Sequence, residues 1–154
     1  MSEKSIETVA FPKVAGNLQV ILERVKSACR DNANAAPTLV AVSKRQPDDR
    51  IEAALVAGHR VFGENRVQEA QERWAERRAP YPDLKLHLIG PLQTNKAADA
   101  VALFDVIEVV DRPKLARSLS TEMARQGRHL PCYVQVNTGE EDQKSGILPD
   151  EADS

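Results

Sequence analysis

The sequence predicts an α/β fold on a parallel sheet and, within that class, a (β/α)8 TIM barrel rather than an open dinucleotide-binding sheet. Three observations carry this. Apolar runs rich in Val, Ile, Leu or Phe recur near residues 38–43, 60–63, 85–90, 105–110 and 132–137, each short enough to be fully buried. Amphipathic stretches with helix start and stop signals lie between them, as parallel strands require. The turn after the first run reads Ser43-Lys44-Arg45-Gln46-Pro47. It has no glycine, whereas a dinucleotide-binding turn needs glycine to let the backbone approach a pyrophosphate.

The elements follow in order. From about residue 13 to 30, Leu18, Ile21, Leu22, Val25, Ala28 and Cys29 fall at three- and four-residue steps, one apolar face of a leading helix. Pro37 closes the loop after it, and strand–helix units run from about 38 to 154 in a single domain, 1–154. Pro47-Asp48-Asp49 opens a helix that Gly58 stops, and Asp111-Arg112-Pro113 opens another that Gly127 stops. Between 66 and 78, Val67, Ala70 and Trp74 share one side, with Glu69 and Arg73 as an i,i+4 pair on the wet side. Without further heptads this is the outer face of a barrel helix, not a coiled coil. The units recur every roughly 20–25 residues, so eight of them need on the order of 200 residues. Lys144 to Ser154 reads as a loop and the first turn of a helix. The expectation is therefore a barrel cut short after five units, with an unpaired apolar edge through which the chain self-associates.

The totals exclude several classes. With 21 basic and 23 acidic residues intermixed, a net charge of −2 and 4% aromatics, nothing favours a nucleic-acid partner. No run approaches the ~18 apolar residues of a membrane span. Met1 to Glu7 has no apolar signal core, so the cytoplasm is the expected compartment. Cys29 and Cys132 stand in neither CxxC nor metal-ligand spacing and read as buried free thiols; no metal site is expected.

In parallel sheets ligands meet the carboxyl ends of the strands. Those positions are Ser43-Lys44, Gly63-Glu64-Asn65, Gly90-Pro91, Asp111 and Asn137. Lys44 follows an uncharged run and precedes Arg45, a cation that favours a neutral neighbouring amine. A fixed, neutral lysine at a sheet mouth is what condensation with an aldehyde needs. Glu64 and Asn65 either orient a bound ring or imine or cap the helix that follows; capping alone accounts for Asn65. His87 reads as a hydrogen-bonded core histidine. Gln93, Thr94, Asn95 and Lys96 form a loop and helix start suited to an anion, or Thr94 is a plain N-cap.

Together these residues resemble the pyridoxal 5′-phosphate homeostasis proteins, relatives of the alanine racemase N-terminal barrel. The pattern runs in order through Ala41 to Lys44, Phe62 to Asn65, Val67-Gln68-Glu69, His87 to Lys96, Gln135 to Asn137 and Lys144 to Gly146. The resemblance implies a barrel holding pyridoxal 5′-phosphate (PLP) as a Schiff base on Lys44, with Asn65 beside the ring hydroxyl. Val42, His87 and Asn137 are the other residues expected at the cofactor. It implies no catalytic residue, a carrier or regulator role in vitamin B6 and amino-acid balance, and a monomer. The family's phosphate-gripping segments, Ser-x-Gly-Met-Ser and Arg-x-Gly-Thr, are absent from this sequence, which predicts weaker cofactor binding. The competing expectations are a PLP-dependent racemase or Schiff-base lyase, for which His87 is the base on offer, and a cofactor-free half-barrel that self-associates.

Overall fold

A computed structural model describes residues 12–29 and 37–153. The expectations for Met1 to Glu7 lie outside the described residues. The chain divides into two compact units, Met1–Leu39 with Arg45–Arg60, and Val40–Lys44 with Val61–Ser154.

The first unit holds α1 (Pro12–Ala28) and α2 (Asp48–Val56), which contact each other. Leu18 and Val25 of the predicted apolar face are half-buried, but Ile21 and Leu22 stay 46% and 39% exposed. In α2, Pro47 is the N-cap, and Asp48 and Asp49 complement the positive end of the helix dipole in the first turn. Ile51, Ala53 and Leu55 are buried.

The second unit is a five-stranded parallel sheet: β1 (Ala41–Val42), β2 (Val61–Glu64), β3 (Lys85–Leu88), β4 (Val106–Val110) and β5 (Cys132–Val134). Their order in space is their order in sequence. A doubly wound sheet reverses its strand order at a switch point, whereas barrel staves follow one another. This sheet has the barrel order. Helices α3 (Val67–Trp74), α4 (Ala97–Leu103) and α5 (Pro113–Gln126) supply the return connections.

The two-residue period of the strands sorts the side chains into two faces. Phe62, Leu86, Leu88, Ile107 and Val109 are buried, as are Ala70 and Trp74 of α3, Ala100 and Val101 of α4, and Leu115 and Leu119 of α5. Phe62 meets Trp74 with ring centroids 4.6 Å apart. On the alternate positions Val61, His87, Val106 and Glu108 are only half-buried and Val42 is 49% exposed. One face is covered by helices and, among the described residues of this unit, the other is open. α5 stops at Gly127, whose φ of +64° gives the left-handed cap that a Cβ disfavours.

Three expectations need correction. The strands are not uniformly buried: all three residues of β5 are exposed, and among the described residues β5 is the edge of the sheet. The two cysteines are not buried: Cys132, in β5, is exposed, and Cys29, after α1, is half-buried. Arg73 does not pair with Glu69 on the wet side. It turns inward to Glu64 Oε1 at 3.0 Å, and Glu69 pairs with Arg66 at 3.3 Å.

Candidate functional site

The ladder continues past the ends of the first three strands. Ser43 N–H donates to Gly63 O at 3.0 Å, and Ile89 N–H donates to Glu64 O at 2.9 Å. Val42 pairs with Gly63, and Glu64 pairs with Leu88. Carrying that register two residues on from Val42 sets Lys44 beside Asn65, and one residue on from Glu64 sets Asn65 beside Ile89. Gly90 then passes close to Asn65. A Cβ on Gly90 would lie 2.2 Å from Asn65 O, so only glycine admits this approach.

Lys44 falls on the open face. A Cβ built on Gly63 meets Ile89 Cδ1 at 3.0 Å and Val40 Cγ1 at 3.1 Å, which puts Val40, Gly63 and Ile89 on one side of the sheet. Alternation returns Val42 and Lys44 to the same side. Lys44 is exposed and Asn65 half-buried, and neither side chain makes a hydrogen bond or ion pair with the described residues. Asn65 does not cap α3. The N-cap position is Arg66, and no side chain bonds there.

Glu64 lies on the opposite, helix-covered face, fully buried. It accepts from Ser43 Oγ at 2.7 Å, Arg73 Nη1 at 3.0 Å and Trp74 Nε1 at 3.0 Å, all on Oε1. Its Oε2 is buried without a hydrogen bond. Neither ring orientation nor capping is therefore open to Glu64. The alternation of Phe62-Gly63-Glu64-Asn65 carried the signal, since it sets Glu64 with Phe62 and Asn65 with Gly63.

The remaining predicted residues divide between the open face and the far end of the sheet. Val42 lies on the open face below Lys44. His87 shares that face, half-buried, and its Nδ1 lies 2.5 Å from Glu108 Oε1, so it is hydrogen-bonded as expected but is not a core residue. Glu108 as its partner was legible only through strand pairing. Asn137 follows β5, 8% exposed, with its amide bonded both ways to the backbone of Glu141. A cavity of about 380 Å³ at this carboxyl end is lined by Pro91, Gln135, Asn137, Glu141, Lys144 and Ser145, among others. Gln135 Oε1 is buried there without a hydrogen bond. Lys144 pairs with Glu141 at 2.8 Å. Asp111 is bound by Arg112 at 2.6 Å. Thr94 opens a 3₁₀ turn, Thr94–Lys96, whose N-cap is Gln93 with no side-chain bond, so the plain N-cap reading of Thr94 fails.

Among the described residues no group of three or more His, Cys, Asp or Glu side chains could hold a metal ion. The Cys132 thiol is pushed up by desolvation. Cys132 lines an apolar groove with Leu119 and Met123 and is itself exposed.

A parallel sheet in sequential order, with helices on one face, is the arrangement of consecutive staves of an α/β barrel. The chain belongs to the family of the alanine racemase N-terminal domain, which it matches over residues 17–154. It is 36% identical to the pyridoxal phosphate homeostasis protein of Haemophilus influenzae over 137 residues, covering 88% of this chain and 58% of that protein. The mouse protein of the same name is 37% identical, with 87% and 53% covered. PipY of Synechococcus elongatus PCC7942, solved with PLP bound, aligns with a TM-score of 0.67 at 41% identity over 84% of this chain and 59% of PipY. The chain thus spans a little more than half the length of these relatives.

Proposed function

We propose that this chain holds pyridoxal 5′-phosphate on Lys44 and serves the balance of free cofactor in the cytoplasm, without catalytic turnover of its own. The observation that carries the reading is Lys44 itself, an amine without a partner among the described residues, beside the unbonded amide of Asn65. The residues present fit the cofactor. The aldehyde of the cofactor supplies an electrophilic carbonyl; the chain supplies what surrounds it.

Lys44 Nζ is the nucleophile. The Asn65 amide has both its donor and acceptor free for a ring hydroxyl. Val42 gives an apolar floor on the same face. His87 is held by Glu108 farther down that face, and Asn137 and Gln135 line the cavity beyond Pro91. The names of the relatives and the PLP in the PipY structure support the cofactor and the homeostatic role. The compartment is inferred with them; no described helix is long and apolar enough to cross a membrane.

The test is a visible absorption scan of the purified chain with added PLP, repeated on Lys44→Ala and followed by borohydride reduction and peptide mapping. A band that vanishes in the variant and a label that maps to Lys44 are expected. An unchanged band in Lys44→Ala, or a label elsewhere, overturns the assignment. Solvent isotope wash-in at the α-carbon of a panel of amino acids tests the absence of turnover. Flat traces are expected, and incorporation would restore a racemase.

A further inference from the structure

We propose that Glu64 is a positioning residue for Lys44, acting through Ser43 and Arg73 from the face of the sheet opposite the cofactor. The inference rests on the reading of Lys44 as the residue that carries the cofactor.

β1 is only two residues long and lies at the edge of the sheet. Two ladder pairs on one side leave the orientation of the peptide after them poorly fixed, yet Lys44 stands two residues past the last of them. The restraint comes from behind. Ser43 donates its N–H to Gly63 O at 3.0 Å and its hydroxyl to Glu64 Oε1 at 2.7 Å, and its carbonyl accepts from Arg73 Nη1 at 2.8 Å. All the polar groups of Ser43 are therefore held. The carbonyl belongs to the peptide bond that leads into Lys44, so its bond to Arg73 fixes the plane from which the lysine departs.

Glu64 organises this clamp. Its Oε1 joins Ser43 to Arg73, and Trp74 Nε1 donates to the same oxygen from the last residue of α3. A buried carboxylate is a poor choice for packing alone, because an apolar side chain of similar volume serves as well or better. What an apolar side chain lacks is direction. Glu64 converts the rigid junction of β2 and α3 into a fixed orientation at the end of a short edge strand.

The step affected is the addition of Lys44 Nζ to the aldehyde carbon with loss of water. It is read by letting all lysines of the intact chain compete for limiting PLP in the presence of cyanoborohydride. Hydride delivery to the C=N bond leaves a secondary amine that mass spectrometry counts at each site. Exposed Lys85 and Lys114 are internal controls. In the unmodified chain Lys44 should label roughly tenfold faster than the controls or more, since misplacement by an ångström costs up to about a hundredfold. Glu64→Gln and Ser43→Ala should remove most of that lead and leave Lys85 and Lys114 unchanged. Trp74→Phe takes a bond from Glu64 without touching Ser43; it should lower the melting temperature and keep the lead of Lys44.

The proposal is overturned if Lys44 keeps its rate in folded Ser43→Ala and Glu64→Gln, or if Trp74→Phe slows it as much as they do. Ser43→Ala decides the matter should Glu64→Gln not fold. An unmodified chain in which Lys44 labels no faster than Lys85 would instead refute the reading of Lys44 itself.

Discussion

The carboxyl end of β1–β2–β3 and the strand β5 belong to one sheet and are built on opposite terms. At the first, Glu64, Trp74 and Phe62 are all 2% exposed or less, each polar group of Ser43 is bonded, and Gly90 lies against the Asn65 backbone. At the second, Tyr133 and Val134 are 59% and 61% exposed and the strand has one neighbour. The difference teaches where this sheet holds its geometry. Buried polar contacts are concentrated behind the lysine, whereas the side chains of the far strand face solvent.

The comparison breaks most easily at Trp74. Its ring packs on Phe62, Arg77 lies over it at 5.9 Å, and its Nε1 completes the bonds to Glu64. Removing a fully buried indole costs both transfer energy and a cavity, so Trp74→Ala should lose about 3–5 kcal/mol. Tyr133→Ala, at the edge, should stay within about 0.5 kcal/mol. Urea unfolding of both variants measures the contrast; equal losses would mean that the two regions are not distinct.

Gly90→Ala probes the same region through the backbone of Asn65. The added methyl would sit 2.2 Å from Asn65 O, a backbone atom that moves only with β2 or the turn behind it. Overpacking of this kind costs roughly 1–3 kcal/mol. The displacement falls on Asn65, so loss of PLP binding should exceed what the lower stability explains. A variant that is destabilised but binds PLP as before would place Asn65 outside the cofactor site.

The legibility of the sequence follows the same division. The apolar runs, the Pro and Gly punctuation at Pro47, Pro113, Gly58 and Gly127, and the sequential strand order were readable, because local chemistry and chain geometry determine them. Lys44 was readable as the residue at the end of an uncharged strand. Glu64 is harder to place, because helix capping and ligand contact both suit a carboxylate at a strand end, and only the two-residue period of its strand separates them from burial. That period alone sends Glu64 to the helix side. The i,i+4 spacing sends Arg73 to the solvent beside Glu69, whereas its partner is the buried carboxylate of Glu64 on β2, which the local pattern does not reveal. The pairing of His87 with Glu108 depends on which strands are neighbours, which no local pattern encodes. The exposure of β5 has a related cause: an apolar run shows that a strand suits burial, not that a neighbour is present to bury it.

The smallest expected effect lies at that edge, and it sharpens the comparison because it is small. Val134 is 61% exposed, so replacing it with lysine removes little buried surface and should change unfolding free energy by less than about 0.5 kcal/mol. Its influence should appear between molecules. An exposed strand edge with apolar side chains is a template for pairing with another chain, and a lysine there places like charges opposite one another when two edges meet. Sedimentation velocity over a wide concentration range should show concentration-dependent association for the unmodified chain and less of it for Val134→Lys. Association that persists unchanged in the variant would move the contact away from β5. A large loss of stability would show that the β5 edge is as closely restrained as the junction behind Lys44.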